Sequence, residues 1–282
     1  MKSTLAFCLC LWTLTGAAAD LGRQAAPAPA FFAFDNGVGR GKWPPAQQAR
    51  VLKELGYDGI SYNETIDITN RLAAFRAEGL SIYALYIFGF LDKPAHYEPG
   101  LTNAIRLLKG SQTIIWLTIR EIQGPHDAEA FRLVQEVADL AAGSGLRVAL
   151  YPHKGFYVAT AENALRIVRQ AGRTNVGLTL NLCHELMAGN GERLEAVVKA
   201  CAPKLFLASI NGASPGSTTD DTIKVLGEGT FDVRSLLGML DRAGYHGPIG
   251  LQCFNLNGDP RENLKRSMAA WRHWYDRDGR GS

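Results

Sequence analysis

Charge is scarce in this sequence and neither sign dominates. Its 30 Lys and Arg against 27 Asp and Glu give a formal net charge of +3 over 282 residues, with basic residues interspersed among acidic ones. The positive patch that a phosphate backbone demands is missing, so no nucleic acid is expected as a partner and a small, near-neutral ligand is. Long apolar runs are missing beyond the N-terminal segment, and the run there is too short to span a bilayer stably. No apolar run opens into a glycine-rich phosphate loop. "GNGE" at 189–192 is too short and too far from a strand end, which counts against the alternative of a doubly wound open sheet.

The opening "MKSTLAFCLCLWTLTGAAAD" has a lysine, an apolar core and a small-residue end at Ala17-Ala18-Ala19, the build of a secretory signal peptide. Residues 1–19 are therefore expected to be a signal, 20–30 a flexible lead-in and 31–278 one domain. The protein is expected to be exported, periplasmic or secreted, with no stable membrane insertion after cleavage. Cys8 and Cys10 lie inside the apolar core, which argues against a lipid anchor. Removing the signal leaves Cys183, Cys201 and Cys253, an odd count that argues against a disulfide framework while leaving one bridge open.

The rest of the chain repeats one grammar: an amphipathic helix, a Gly or Pro stop, then a short apolar run. "VLKELGYDGISY", "ADLAAGSGLRVALYPH" and "MLDRAGYHGPIGLQC" are examples. Gly56, Gly79, Gly145, Gly172 and Gly244 stand where a helix would end in a left-handed residue. The runs that follow are continuously apolar, as parallel strands buried on both faces require. With "FFAFD" at 31–35 and "TIIWLTI" at 113–119 the strands number eight, which predicts an α/β fold, a single-domain (β/α)8 TIM barrel. Asp259-Pro260-Arg261-Glu262 supplies the N-cap, first-turn proline and third-position carboxylate of the last helix.

Function in such a barrel sits at the C-terminal strand ends. Those ends here are rich in hydroxyls, amides and imidazoles, which suits a polyhydroxylated small-molecule carbohydrate. Carboxylates are few there: Asp35 after the first run, Glu64 after the second and Glu121 after the fourth.

From "GVGR" to "SMAAWRHW" the chain resembles the xylose-isomerase-like TIM barrels of the sugar phosphate isomerase/epimerase superfamily. Asn181-Leu182-Cys183-His184 is similar to that family's Asp-x-x-His, and "LGEGTFDVRSLLGMLDRAGYHGPIGLQ" at 226–252 to its approach to a strand-eight Glu. The resemblance implies isomerase or epimerase activity and a divalent metal held by Glu, Asp, His and Glu from strands five to eight. Matched one by one, those ligands fall on Tyr151, Asn181, a position at or beside Ser209, and Gln252. Amide and phenol oxygens supply no compensating negative charge, so no metal and no other cofactor is expected.

The replacements keep shape and hydrogen-bonding capacity, which points to a pocket that still recognises a sugar. His153, His184 and Glu121 are the candidate catalytic residues, His184 because the matching family histidine touches substrate. Tyr151, Lys154, Asn181, Asn211, Gln252, Glu64 and Asp35 are the candidate substrate-binding residues. Three activities stay open: a sugar isomerase or epimerase moving a proton next to a carbonyl, a lyase or hydrolase acting on keto-glycosides, and a sugar-binding protein without chemistry. Oligomeric state is left open.

Overall fold

The computed structural model describes residues 28–120 and 122–277; the expected signal peptide and most of the lead-in lie outside them. Eight parallel strands, β1 (Phe31–Phe34), β2 (Gly59–Asn63), β3 (Ser81–Gly89), β4 (Ile114–Ile119), β5 (Arg147–Leu150), β6 (Val176–Asn181), β7 (Leu205–Ile210) and β8 (Ile249–Leu251), pair in sequence order. Closure comes from β1 against β8, with Phe32 beside Gly250.

The chain returns through α1 (Pro45–Leu55), α2 (Ile68–Ala77), α3 (Leu101–Leu107), α4 (Asp127–Ala142), α5 (Ala161–Ala171), α6 (Leu182–Met187), α7 (Leu194–Cys201), α8 (Thr219–Thr222), α9 (Val233–Arg242) and α10 (Pro260–Arg277). The five stop glycines all hold positive φ, from 63° at Gly172 to 88° at Gly56. The last helix opens as expected, with the Glu262 amide donating to Asp259 Oδ1 at 2.9 Å.

Side chains alternate across each strand. Phe31 and Ala33, Ile115 and Leu117, Val148 and Leu150, and Ile249 and Leu251 face the helices in one large core. Phe32, Phe34, Tyr83, Trp116 and Tyr151 face inward in a second. These rings touch one another, Phe32 on Tyr83 at 5.0 Å and Trp116 on both Phe34 (4.9 Å) and Tyr151 (5.0 Å) between centroids. An interior so full of rings on β1, β3, β4 and β5 needs small residues opposite. Gly250 supplies one, since a Cβ there would come within 2.6 Å of the Phe34 ring and 2.7 Å of the Phe32 ring. Cys183, Cys201 and Cys253 are free and buried.

Gly250→Ala should therefore cost about 1–3 kcal/mol by overpacking the interior. Urea unfolding checks it, and an unchanged midpoint would show that the Phe32 and Phe34 rings can step aside.

Candidate functional site

Above the ring layer, at the C-terminal ends of the strands, lies a cavity of about 490 Å³. The alternation of the strands carries past their last hydrogen bonds and decides what reaches it. Counting in steps of two from Phe34 gives Asn36 after β1, from Trp116 gives Arg120 after β4, and from Gly250 gives Gln252 after β8; on β3 the irregularity beside Ile60/Ser61 resets the phase, so that Ala84, Tyr86 and Phe88 face inward, and Asn63 ends β2. Asn36, Asn63, Tyr86, Phe88, Arg120 and Gln252 all line the cavity. Tyr151 and His153 follow the same rule beyond β5.

The rule also accounts for carboxylates that stay out. Asp35 is one step out of phase with Phe34; it is buried beneath the mouth, paired with Arg40, and accepts from the Asn63 amide at 3.3 Å. Glu64 is out of phase with Asn63 and is exposed, outside the cavity, in a left-handed conformation at φ 64°. Asn211 is in phase with inward Ser209, yet the chain has already turned there. Its Nδ2 donates to the carbonyls of Gly212 (2.8 Å) and Thr222, tying the loop after β7 to α8 rather than lining the cavity. Glu121 lies outside the described residues.

The four strand ends β5 to β8 bring Tyr151, Asn181, Ser209 and Gln252 inward, with Asn181 beside Ser209 in register. Gln252 Oε1 accepts from Asn36 Nδ2 (2.7 Å) and from the backbone amides of Cys253 and Phe254 (both 2.9 Å). Those donors fix the amide's orientation and turn Nε2 toward the Tyr151 hydroxyl at 3.3 Å. Asn181 Oδ1 accepts from the Cys183 thiol at 3.1 Å. Burial above all holds the Tyr151 phenol well above its usual range, with Cys183 and Tyr86 adding to it and the Asn181 and Gln252 amides opposing. The phenol is therefore neutral at pH 7. Between them the four residues offer no anionic oxygen, and the Gln252 oxygen is already engaged by three donors. This donor set does not fit a divalent cation. Nor do three His, Cys, Asp or Glu side chains gather for a metal anywhere among the described residues.

What the mouth does assemble is a histidine pair. The His153 and His184 rings lie 4.1 Å apart between centroids, and His153 stacks on Phe156 at 4.0 Å. One peptide group sets both. The Lys154 N–H donates to His184 Nδ1 at 3.3 Å, while the Lys154 carbonyl lies 2.9 Å from His153 Nδ1. A carbonyl can only accept, so His153 carries its proton on Nδ1 and its Nε2 has the lone pair when the ring is neutral. An N–H can only donate, so neutral His184 carries its proton on Nε2. His184 is held well below the ordinary histidine range, first by burial and then by the neighbouring His153.

Asn36, Asn63 and Arg120 stand at the strand ends in the sequence but are not among the candidates chosen there, and alternation distinguishes them from their neighbours; Arg40 is a cavity residue that the strand ends do not reveal. Arg40 belongs to the loop after β1, and only its ion pair with Asp35 places it at the cavity.

A family model described as xylose isomerase-like TIM barrel matches residues 104–274 of this chain. An inosose isomerase of Bacillus velezensis is 28% identical over 127 residues, 43% of this chain and 45% of that protein. A 3-dehydroshikimate dehydratase of Pseudomonas aeruginosa is 30% identical over 132 residues, 43% of this chain and 20% of its own length. The chain thus matches less than half the length of these curated relatives. Among solved structures, the IOLI protein with a bound zinc atom superposes with a TM-score of 0.70 at 18% identity, covering 88% of this chain and 98% of that one. The 3-keto-D-glucoside 4-epimerase YcjR from E. coli gives 0.67 at 15% identity, covering 86% and 98%. At these identities the superpositions establish a shared fold.

A neutral buried His184 has a consequence for stability. Its native pKa lies below its unfolded value of about 6.5, so between the two the unfolded chain binds the extra proton and stability falls as pH falls. His184→Asn should flatten the loss of unfolding free energy between pH 7 and pH 5, measured in urea. An acid limb as steep as in the parent protein would place the responsible proton elsewhere.

Proposed function

The chain belongs to the xylose isomerase-like TIM barrel family, and from that membership we propose that it is an enzyme of isomerase or epimerase type acting on a carbohydrate or keto-sugar. The observation that carries this reading is the Lys154 peptide group, which gives two adjacent imidazoles opposite roles. His153 Nε2 takes the proton from the carbon next to a carbonyl. His184 Nε2–H donates to the carbonyl oxygen as charge develops there, a task for which a neutral, buried imidazole is suited. The Tyr151 hydroxyl, neutral at the cavity floor, is a second donor at that end. Return of the proton by His153 to the former carbonyl carbon, with the hydroxyl proton passing between the two oxygens through His184 Nε2, gives the isomer; the epimer requires a second donor on the opposite face of the carbanion.

The same proton abstraction starts an elimination when a leaving group stands on the next carbon, which makes a lyase the second reading. The matched segment of a protein named 3-dehydroshikimate dehydratase supports it. A sugar-binding protein without chemistry would need neither tautomer fixed.

No divalent metal is proposed in this reading, because Tyr151, Asn181, Ser209 and Gln252 bring no negative charge to the positions where the family resemblance places one. His153→Asn should lower turnover of an identified keto-sugar by ~10²- to 10⁴-fold while leaving its affinity nearly intact. Turnover of the parent protein should survive dialysis against a chelator. Steady-state rates and titration calorimetry read both, and a chelator-sensitive rate or an indifferent His153→Asn variant would send the chemistry elsewhere.

We further propose export, on the build of residues 1–19. Fusion of residues 1–24 to a reporter should carry it across the inner membrane of a bacterial host. A reporter that stays cytoplasmic and uncleaved contradicts this.

A further inference from the structure

Next to His184 on α6 stands Glu185, whose side chain is completely buried and lies outside the cavity lining. A carboxylate taken out of water is costly unless donors meet its oxygens. Two donors meet these. The Ala161 N–H donates to Oε1 at 2.6 Å, and Asn190 Nδ2 donates to Oε2 at 2.7 Å. Burial pushes the carboxyl up from its usual range, and those two bonds act against the rise.

Ala161 is the first residue of α5, which already has a local cap: the Thr160 hydroxyl accepts from the Asn163 N–H at 3.2 Å. Glu185 adds a partner from another element, and an anion there suits the helix dipole. Its more particular effect falls on the segment between β5 and α5. Within that segment the His153 N–H donates to the Val158 carbonyl at 2.9 Å, and Val158 is buried just ahead of α5. The near end of the segment meets α6 through the Lys154 N–H bond to His184, and the far end meets α6 at Ala161. Two consecutive side chains of α6 thus grip one loop at both ends. Asn190 steadies the second grip, since its own N–H donates to the Glu185 carbonyl at 2.9 Å and its Oδ1 accepts from Arg193 Nη1 at 3.3 Å.

We propose that Glu185 is a positioning residue: by fastening the N-terminus of α5 to α6 it holds the Lys154 peptide group in register with both imidazoles and so fixes their opposite tautomers. At 3.3 Å the Lys154 N–H bond to His184 is long, and a loop released at its far end would lose that bond first. The proposal rests on His153 and His184 being the working pair. Glu185 acts through them and touches neither the cavity nor the transferred proton.

Proton–nitrogen correlation spectra of the histidine side chains, taken on the purified protein at about pH 8, above the usual histidine range, read which ring nitrogen carries the proton. His153→Asn and His184→Asn assign the signals. The parent should show Nδ1–H on His153 and Nε2–H on His184. Glu185→Gln keeps the shape but sets an NH2 against one of the two donors whichever way it turns, and should shift the His153 tautomer ratio by about fivefold or more. Adding Asn190→Asp to Glu185→Gln gives that NH2 an acceptor and should restore the parent spectrum. Asn190→Ala withdraws a single donor; it should move the His153 ratio in the same direction and decides the matter if Glu185→Gln does not fold. A carboxylate that merely capped α5 would lower the urea midpoint of these variants and leave both rings unchanged. That outcome overturns the proposal, as do parent rings sharing one tautomer or a folded double variant that does not restore them. No substrate enters the measurement, so its failure leaves the loss of turnover expected of His153→Asn intact, and an indifferent His153→Asn leaves the tautomer result standing.

Discussion

A closed eight-stranded barrel must fill its own interior, and the way this chain does so governs what can happen at its mouth. Large rings on β1, β3, β4 and β5 crowd one half of the interior, and Gly250 on β8 gives way to them. The uppermost of these rings, Phe34, Trp116 and Tyr151, are at once the top of the core and the floor of the cavity. Stability and recognition therefore share side chains. The floor is stiff because it is core, and polar contacts to a ligand must come from the strand ends above it and from the loops.

An amide at a strand end makes different demands from a carboxylate. A carboxylate has only acceptors, whereas an amide has one acceptor and a pair of donors, so it must be oriented before it can be useful. Gln252 is oriented by two consecutive backbone amides and Asn36, and the result is an inward-facing NH2. Tyr151, pressed between that amide and the rings, keeps its proton. Around two imidazoles, a single peptide group keeps the rings from adopting the same tautomer.

Much of this was visible in the residues alone, for identifiable reasons. Continuous apolar runs and left-handed stops are local signals, so the strand count, the five glycines and the Asp259 cap could be read directly. Position along a strand was readable; facing was only partly so. Tyr151, His153 and Gln252 sit in phase with the inward rings, and a count by twos also yields Asn36, Asn63 and Arg120 while setting Asp35 and Glu64 aside. The count fails at Asn211, because the antiparallel bridge of Gly212 with Lys224 bends the chain before the alternation is complete. The bond pattern around Lys154 was beyond reach, since it joins segments 30 residues apart whose spacing is set by the β5–β6 pairing.

The three buried cysteines carry a further implication. Burial holds each thiol up at about 12, so the folded protein offers almost no thiolate at neutral pH. Native molecules are thereby inert to electrophiles and to exchange with mixed disulfides, even in an oxidising medium. The vulnerable interval is before the barrel closes, when all three sulfurs are open to solvent and any pair of them can be joined wrongly. Closure of the barrel, rather than any bridge, is what shields these sulfurs.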